Sequence, residues 1–226
     1  MSPDYYPAFL NLRGKKCIVV GGGKVAERKV ASLVRSGACI HVISPELTAA
    51  LKRYKAAGTI RHSAREYRPG DLKGAFLAIA ATSDDRINRE VSREAPGLVN
   101  VVDVPGLANF ILPAVVNRGP LTVAVSTGGA SPAMAAAIRR ELELLYSRDF
   151  GSYLMFLGKL RKDIIKTIKD KEARERFFKE AASRDVLDDL RAEGFQKARK
   201  NILERLKKMK IKTTKKPAKR QTDRIK

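Results

Sequence analysis

The stretch from Lys16 to Ser36 constrains this chain more than any other part of it. Lys16-Cys17-Ile18-Val19-Val20 is a short, mostly apolar run that reads as a buried strand, closed by Gly21-Gly22-Gly23. Val25 to Ser36 then places apolar residues at near-helical steps and stops at Gly37, as helices often do. Between strand and helix, Gly21-Gly22-Gly23-Lys24-Val25-Ala26 fits G-x-G-x-x-G/A. The first glycine of that pattern permits a tight turn, the second lets a pyrophosphate approach the backbone, and the small third residue, Ala26, lets the helix pack on the strand. The helix N-terminus then offers N–H groups and a partial positive charge to phosphates. Gly21, Gly22, Gly23, Lys24 and Val25 are therefore candidate cofactor contacts. The plainer alternative is an ordinary glycine turn.

The surrounding sequence repeats the strand–helix alternation. Cys39–Ile43 predicts a strand, Leu47–Ala57 a helix ended by Gly58, and Thr59–His62 a short strand. Ala75–Ala81 and Leu98–Val102 predict two more strands around a helix over Asp84–Glu94. Such alternation implies βαβ units and a parallel sheet, whose strands are near-continuous apolar runs because both faces are buried. Residues 1–112 thus read as a Rossmann-like α/β domain. The pattern then changes. Phe110–Val116 and Leu121–Ser126 flank the turn Asn117-Arg118-Gly119-Pro120 and predict a two-stranded element. Ser131 as cap and Pro132 in the first turn open an Ala-rich helix reaching about Tyr146. From Phe150 to about Met209 the chain is amphipathic and helical, in three pieces. The expected division is 1–112, 113–147, a helical domain over 148–209, and a basic, disordered tail over 210–226.

Composition removes several classes. The 226 residues carry a net charge of +22, no Trp and only 6% aromatics, so the core must be mostly aliphatic. No apolar run is long enough to span a membrane. The first residues lack a charged-then-apolar leader pattern, which points to the cytoplasm. Cys17 and Cys39 both lie in strand-like runs and are expected to be buried; they offer no CxxC pair. Residues 197–226 carry 14 basic residues against Glu204 and Asp223, more than half of the excess. A basic tail can bind nucleic acid or an anionic surface, but no nucleic-acid motif accompanies it, and a solubilising tail is the plainer reading.

Further candidates follow from where open α/β sheets bind ligands, at the carboxyl ends of their strands. Ser44-Pro45-Glu46 ends the second strand. Glu46 stands about 20 residues past the glycine turn, where a carboxylate holds an adenosine ribose, or else begins the next helix. No Arg follows that strand directly, which favours NAD over NADP. Thr82, just past Ala75–Ala81, should line the same crevice. Asn100-Val101-Val102-Asp103-Val104-Pro105 puts one carboxylate at a strand end among apolar residues. Such a setting raises a carboxyl pKa and suits a proton acceptor; the alternative is a turn aspartate before Pro105. His41 and His62, the only histidines, read as structural, and no metal-ligand cluster is expected.

Five ordered segments together resemble precorrin-2 dehydrogenase, the family also found as the N-terminal part of siroheme synthase. They are Val19–Lys29, Ala80–Asp85 with Asn88, Asn100–Asp103, Phe110–Ala114 and Ser126–Pro132. The resemblance implies NAD-dependent conversion of precorrin-2 to sirohydrochlorin, in some members followed by insertion of ferrous iron (Fe2+), in a homodimer built through the region after the Rossmann domain. It implies Asp103 as the functional carboxylate and cofactor contacts at Gly23, Lys24, Val25 and Ser44-Pro45-Glu46. The substrate's carboxylates would meet basic residues such as Arg86, Arg89, Arg118 and Arg139, and the loop Gly128-Gly129 before Ser131. In trifunctional relatives a methyltransferase domain follows, and this chain is too short to hold one. Val104 after Asp103 departs from the family's usual polar or small residue. A competing reading is a regulatory module that senses NAD and contacts a partner through its basic tail.

Overall fold

The computed structural model describes residues 5–214. The chain forms two compact units: the residues up to Leu112 together with Thr127–Ser131, and Pro113–Ser126 together with the chain from Pro132 onward.

In the first unit five parallel strands, β1 (Lys16–Val20), β2 (Cys39–Ile43), β3 (Ile60–Ser63), β4 (Leu77–Ala80) and β5 (Leu98–Val101), lie in the order β3-β2-β1-β4-β5. Helices α1 (Lys24–Arg35), α2 (Ala49–Ala56) and α3 (Asp85–Glu94) connect them. The side-chain alternation of a strand sorts the core into two layers. Cys17, Val19, Ile40, Val42 and Ile79 pack with Ala26, Val30 and Leu33 of α1 and Leu51 of α2. Ile18, Val20, Ile43, Ala78 and Ala80 pack on the other face with Val91 of α3. Strand β4 is buried at every position, as a central parallel strand must be. The chain runs outward from β1 to β3, then returns to start again at β4, so strand order reverses between β1 and β4. That reversal opens a crevice at the carboxyl ends.

Several boundaries differ from expectation for local reasons. Helix α2 begins at Ala49 because Thr48 caps it, its hydroxyl accepting from Leu51 N. Asp84 caps α3 in the same way, accepting from the N–H groups of Arg86 and Ile87. Cys17 is buried, and burial pushes its thiol up to about 11, whereas Cys39 opens β2 at the sheet's amino edge and is exposed. The expectation of two buried thiols is corrected there.

The second unit holds an antiparallel pair, β6 (Ala114–Arg118) and β7 (Leu121–Val125), and helices α4 (Pro132–Leu145), α5 (Arg148–Thr167), α6 (Lys171–Glu180), α7 (Arg184–Ala192) and α8 (Gly194–Thr214). The hairpin turns on Gly119-Pro120 alone, with Gly119 at φ +60°, so β6 starts and ends later than its sequence suggested. Among the described residues four helices follow α4, not three, and Gly194 at φ +79° separates α7 from α8. The unit's core is the aromatic one, built on Phe150, Tyr153 and Phe177 with Ile164, Leu190 and Ile202. Gly151 lets α5 approach β6 closely, since a Cβ there would collide with Arg118 O. Helix α8 continues to Thr214, into the segment expected to be a tail from 210; residues 215–226 lie outside the described ones. Among the described residues no helix is long and apolar enough to cross a membrane.

Candidate functional site: a cleft at the carboxyl ends of the parallel strands

A cleft of about 940 Å³ opens over the ends of β1, β2, β4 and β5. Gly21–Val25, Ser44–Thr48, Ala81–Asp85 and Val102–Val104 form its walls. The structure thus brings Gly21, Gly22, Gly23, Lys24, Val25, Ser44, Pro45, Glu46, Thr82 and Asp103 to one place.

Its floor is set by three glycines with three different jobs. Gly21 has φ +116°, and a Cβ there would collide with Ala81 O across the switch point. Gly22 lies under the β2–α2 loop, where a Cβ would strike Glu46 O and Ser44 Oγ; its own carbonyl accepts from Thr48 N at 3.1 Å. Gly23 is different: a Cβ there meets nothing within 4 Å. It is the N-cap of α1 and supplies no side-chain cap, so the first-turn N–H groups have no side-chain acceptor from the cap. An open, uncapped helix start facing a cleft fits a pyrophosphate, with Gly23, Lys24 and Val25 as the residues that would hold it.

The β2–α2 loop is tied down from three sides. Ser44 Oγ donates to Glu46 O, and Ser44 N donates to Ser63 O at 3.2 Å. His62 Nε2 donates to Ser44 O at 2.9 Å, leaving its Nδ1 buried without a partner. Glu46 precedes the cap Thr48 and is exposed, so it belongs to the loop; the reading that puts it in the first turn of α2 is corrected. Glu27 of α1 bonds to Thr48, and that bond, with Lys24 nearby, holds its carboxyl below the usual value.

The β4–α3 loop is held by Asn88, which is buried on α3. Its Oδ1 accepts from Thr82 Oγ1 at 2.9 Å, and its Nδ2 donates to Thr82 O at 3.1 Å. Tyr67, in the loop between β3 and β4, also lines the cleft. Its hydroxyl donates to Glu94 Oε2 at 2.7 Å, and burial together with that carboxylate raises its pKa, so it stays protonated and engaged. Nothing in the sequence marked Tyr67, which sits in an aperiodic loop. Asn88 was visible only as part of the resemblance.

Asp103 is exposed, not enclosed by apolar neighbours. It has φ +60°, a left-handed conformation that Asp tolerates better than most residues. Val102 packs toward the α1–α2 layer and Val104 toward the α3 layer, so the residue between them turns out into the cleft. The hydrophobic setting expected for this carboxylate is absent.

The candidate substrate contacts are divided. Gly128 and Gly129 have φ +61° and +90° in a loop closed by Thr127, whose Oγ1 accepts from Ser131 N at 3.1 Å. Arg118 belongs to the second unit and is engaged there: Nε donates to Tyr146 O at 2.9 Å, with further bonds to Asn117 O and Glu143 O. The Glu143 and Tyr146 carbonyls lie in the last turn of α4 and just past it, where a cation is favoured. Arg139 pairs with Glu143 one turn along the same helix. Arg86 pairs loosely with Asp84 at 3.7 Å.

A parallel sheet with a glycine cradle at its switch point defines a Rossmann-type dinucleotide-binding protein. Residues 8–114 match a family described as putative NAD(P)-binding, and residues 118–144 one described as sirohaem biosynthesis protein, central. A siroheme synthase of Methylobacillus flagellatus is 40% identical over 88% of this chain and 43% of its own length. One of Nitrosomonas eutropha is 39% identical over 90% of this chain and 44% of its own. Among solved structures, the precorrin-2 dehydrogenase SirC superposes with a TM-score of 0.76 at 28% identity, covering 90% of this chain and all of SirC. Over most of its length the chain is similar to precorrin-2 dehydrogenase and to the N-terminal part of siroheme synthases. It spans less than half the length of the curated siroheme synthases it matches.

Proposed function

We propose that this chain catalyses the NAD-dependent dehydrogenation of precorrin-2 to sirohydrochlorin. The observation that carries the reading is the shared cleft: the open Gly23 cradle and the outward-turned Asp103 line one cavity. The cofactor, when bound, supplies the hydride acceptor for the two-hydrogen oxidation. The chain supplies the rest. The first turn of α1 binds the pyrophosphate, and Thr82, fixed by Asn88, borders the crevice on the β4 side. The Asp103 carboxylate takes or relays the proton released from the macrocycle. Its exposure means that position, rather than a buried environment, suits it to the task. Glu46 supports NAD as the dinucleotide, because an exposed carboxylate at the end of β2 pairs with ribose hydroxyls and repels a 2′-phosphate.

A homodimer is supported by exposed apolar residues of the second unit. Met134, Leu144 and Leu145 of α4 are 56%, 84% and 48% exposed, more than a lone monomer favours on one helix. Substrate carboxylates are proposed to meet the Gly128-Gly129 loop and Ser131. Arg118 is the weaker candidate, since backbone carbonyls already hold its guanidinium.

The test is purified protein with precorrin-2 and NAD+, followed by NADH absorbance, then Fe2+ to read any siroheme formed. Protein that binds NAD+ yet produces no NADH from precorrin-2 refutes the proposal. Iron insertion without any NAD+ requirement would make it a chelatase instead.

A further inference from the structure

The β2–α2 loop lines two cavities, and the reaction above uses only one. Pro45, Glu46 and Leu47 border both the large cleft and a second pocket of about 340 Å³. Lys52 and Lys55 of α2 and His62 at the end of β3 complete that second pocket. The two lysines stand three apart, on one face of the helix. Both are exposed, and among the described residues neither ammonium has an ion pair or a hydrogen bond. The wall they face is fixed: His62 Nε2 donates to Ser44 O at 2.9 Å, and Ser44 Oγ donates to Glu46 O. Two ammonium groups therefore surround the pocket against one carboxylate. The large cleft has the opposite balance, with Glu46, Glu66, Asp84, Asp85 and Asp103 on its walls against Lys24. A further anion carried on the adenosine ribose is repelled by the cleft and attracted by the pocket beside it.

We propose that this pocket is a phosphate subsite for the 2′ position of the adenosine ribose, with Lys52 and Lys55 as its cationic contacts, so that the chain binds NADP+ as well as NAD+. The inference rests on the cofactor placement above, in which the ribose hydroxyls meet Glu46. That residue belongs to the wall the two cavities share, so a group on the 2′ oxygen stands at the mouth of the lysine pocket. Glu46 repels the phosphate and the lysines attract it. Glu46 therefore sets the preference for NAD+, and the lysines keep that preference from being absolute.

Isothermal titration calorimetry of the full chain with NAD+ and with NADP+ tests this without turnover. Wild type should bind both, NADP+ more weakly, and added salt should weaken NADP+ more than NAD+. K52Q/K55Q changes two exposed positions to another good helix former, so the fold should be kept. It should raise Kd for NADP+ about tenfold and leave Kd for NAD+ within about twofold. R53Q is the control: it removes a cation of the same helix that acts on Glu27 of α1 and does not line the pocket. It should leave the ratio of the two Kd values as in wild type. A wild type that binds NAD+ but shows no NADP+ binding overturns the proposal. So does a K52Q/K55Q ratio equal to that of R53Q. Lysine-dependent binding of inorganic phosphate that NADP+ does not share would make the pocket a free-anion site and overturns it as well. A chain with the expected ratios that makes no NADH from precorrin-2 refutes the dehydrogenase reading and leaves the subsite standing.

Discussion

Replacing the three glycines of the β1–α1 turn one at a time should separate folding from cofactor binding. At Gly23, φ is −81° and ψ −171°, a region open to alanine, and the added methyl meets no protein atom within 4 Å. Losing glycine at an N-cap costs up to about 1 kcal/mol, while a less flexible unfolded chain returns about 0.4–1 kcal/mol. G23A should therefore melt within a few degrees of wild type. Yet its methyl projects into the space left open at the first turn of α1, where phosphate oxygens must approach the N–H groups. A displaced charge-assisted hydrogen bond is worth about 1.5–3 kcal/mol, so Kd for NAD+ should rise about 10- to 100-fold. At Gly22 the methyl instead overlaps the backbone of Glu46 and the Ser44 hydroxyl, which cannot yield without moving the β2–α2 loop. G22A should lose about 1–3 kcal/mol of stability from overpacking, and cofactor binding with it.

Differential scanning fluorimetry with and without NAD+ reads both effects. Ligand at 100 times Kd stabilises by about 2.7 kcal/mol, so wild type should show a clear rise in Tm with NAD+. G23A should start within a few degrees of the same Tm and lose about half or more of that rise. If G23A keeps the full rise, the pyrophosphate does not lie over Gly23 and the fit argued from the open cradle is wrong.

Other substitutions read other walls of the cleft. Replacing Glu46 by Ser should weaken the preference for NAD+ over NADP+ by about tenfold in kcat/KM, since it removes the repulsion of a 2′-phosphate. D103N should lose about 10²-fold or more in kcat with NAD+ affinity intact, the size expected of a proton acceptor; a fully active D103N would exclude that role. N88A removes all three of its hydrogen bonds with Thr82 and should raise KM for NAD+ more than it lowers Tm, as binding titrations and melting curves would show together. For acid stability, the Arg65 guanidinium, with bonds of 2.7 Å to both Asp71 oxygens, holds that carboxyl below its ordinary value of 3.8. A depressed carboxyl stabilises the fold above its unfolded pKa, and that stability is lost as pH falls through its folded value. The stability gap between wild type and D71N should thus be present at neutral pH and close below about pH 4; a gap that persists in acid would show that the pair does not act through ionisation.

The first unit was legible because its signals are local. A β-branched run, a glycine turn and a helical stripe each need only a dozen residues, and the parallel order follows from their alternation. The second unit was legible only as helical. Its break at Gly194 and its close approach at Gly151 depend on backbone conformation and on which surface faces which, neither of which periodicity encodes. The starts of α2 and α3 moved because Thr48 and Asp84 cap them, a choice made by a hydroxyl and a carboxylate in competition with their neighbours.

The site shows the same division more sharply. Sequence spacing located Gly23, Glu46 and Asp103, each at a strand end, but not what surrounds them. Asp103 was expected to work because apolar residues flank it in the chain. In the fold those residues, Val102 and Val104, go to opposite faces of the sheet, and the left-handed turn that permits this is what exposes the carboxylate. Adjacent residues in a chain therefore need not be neighbours of a side chain.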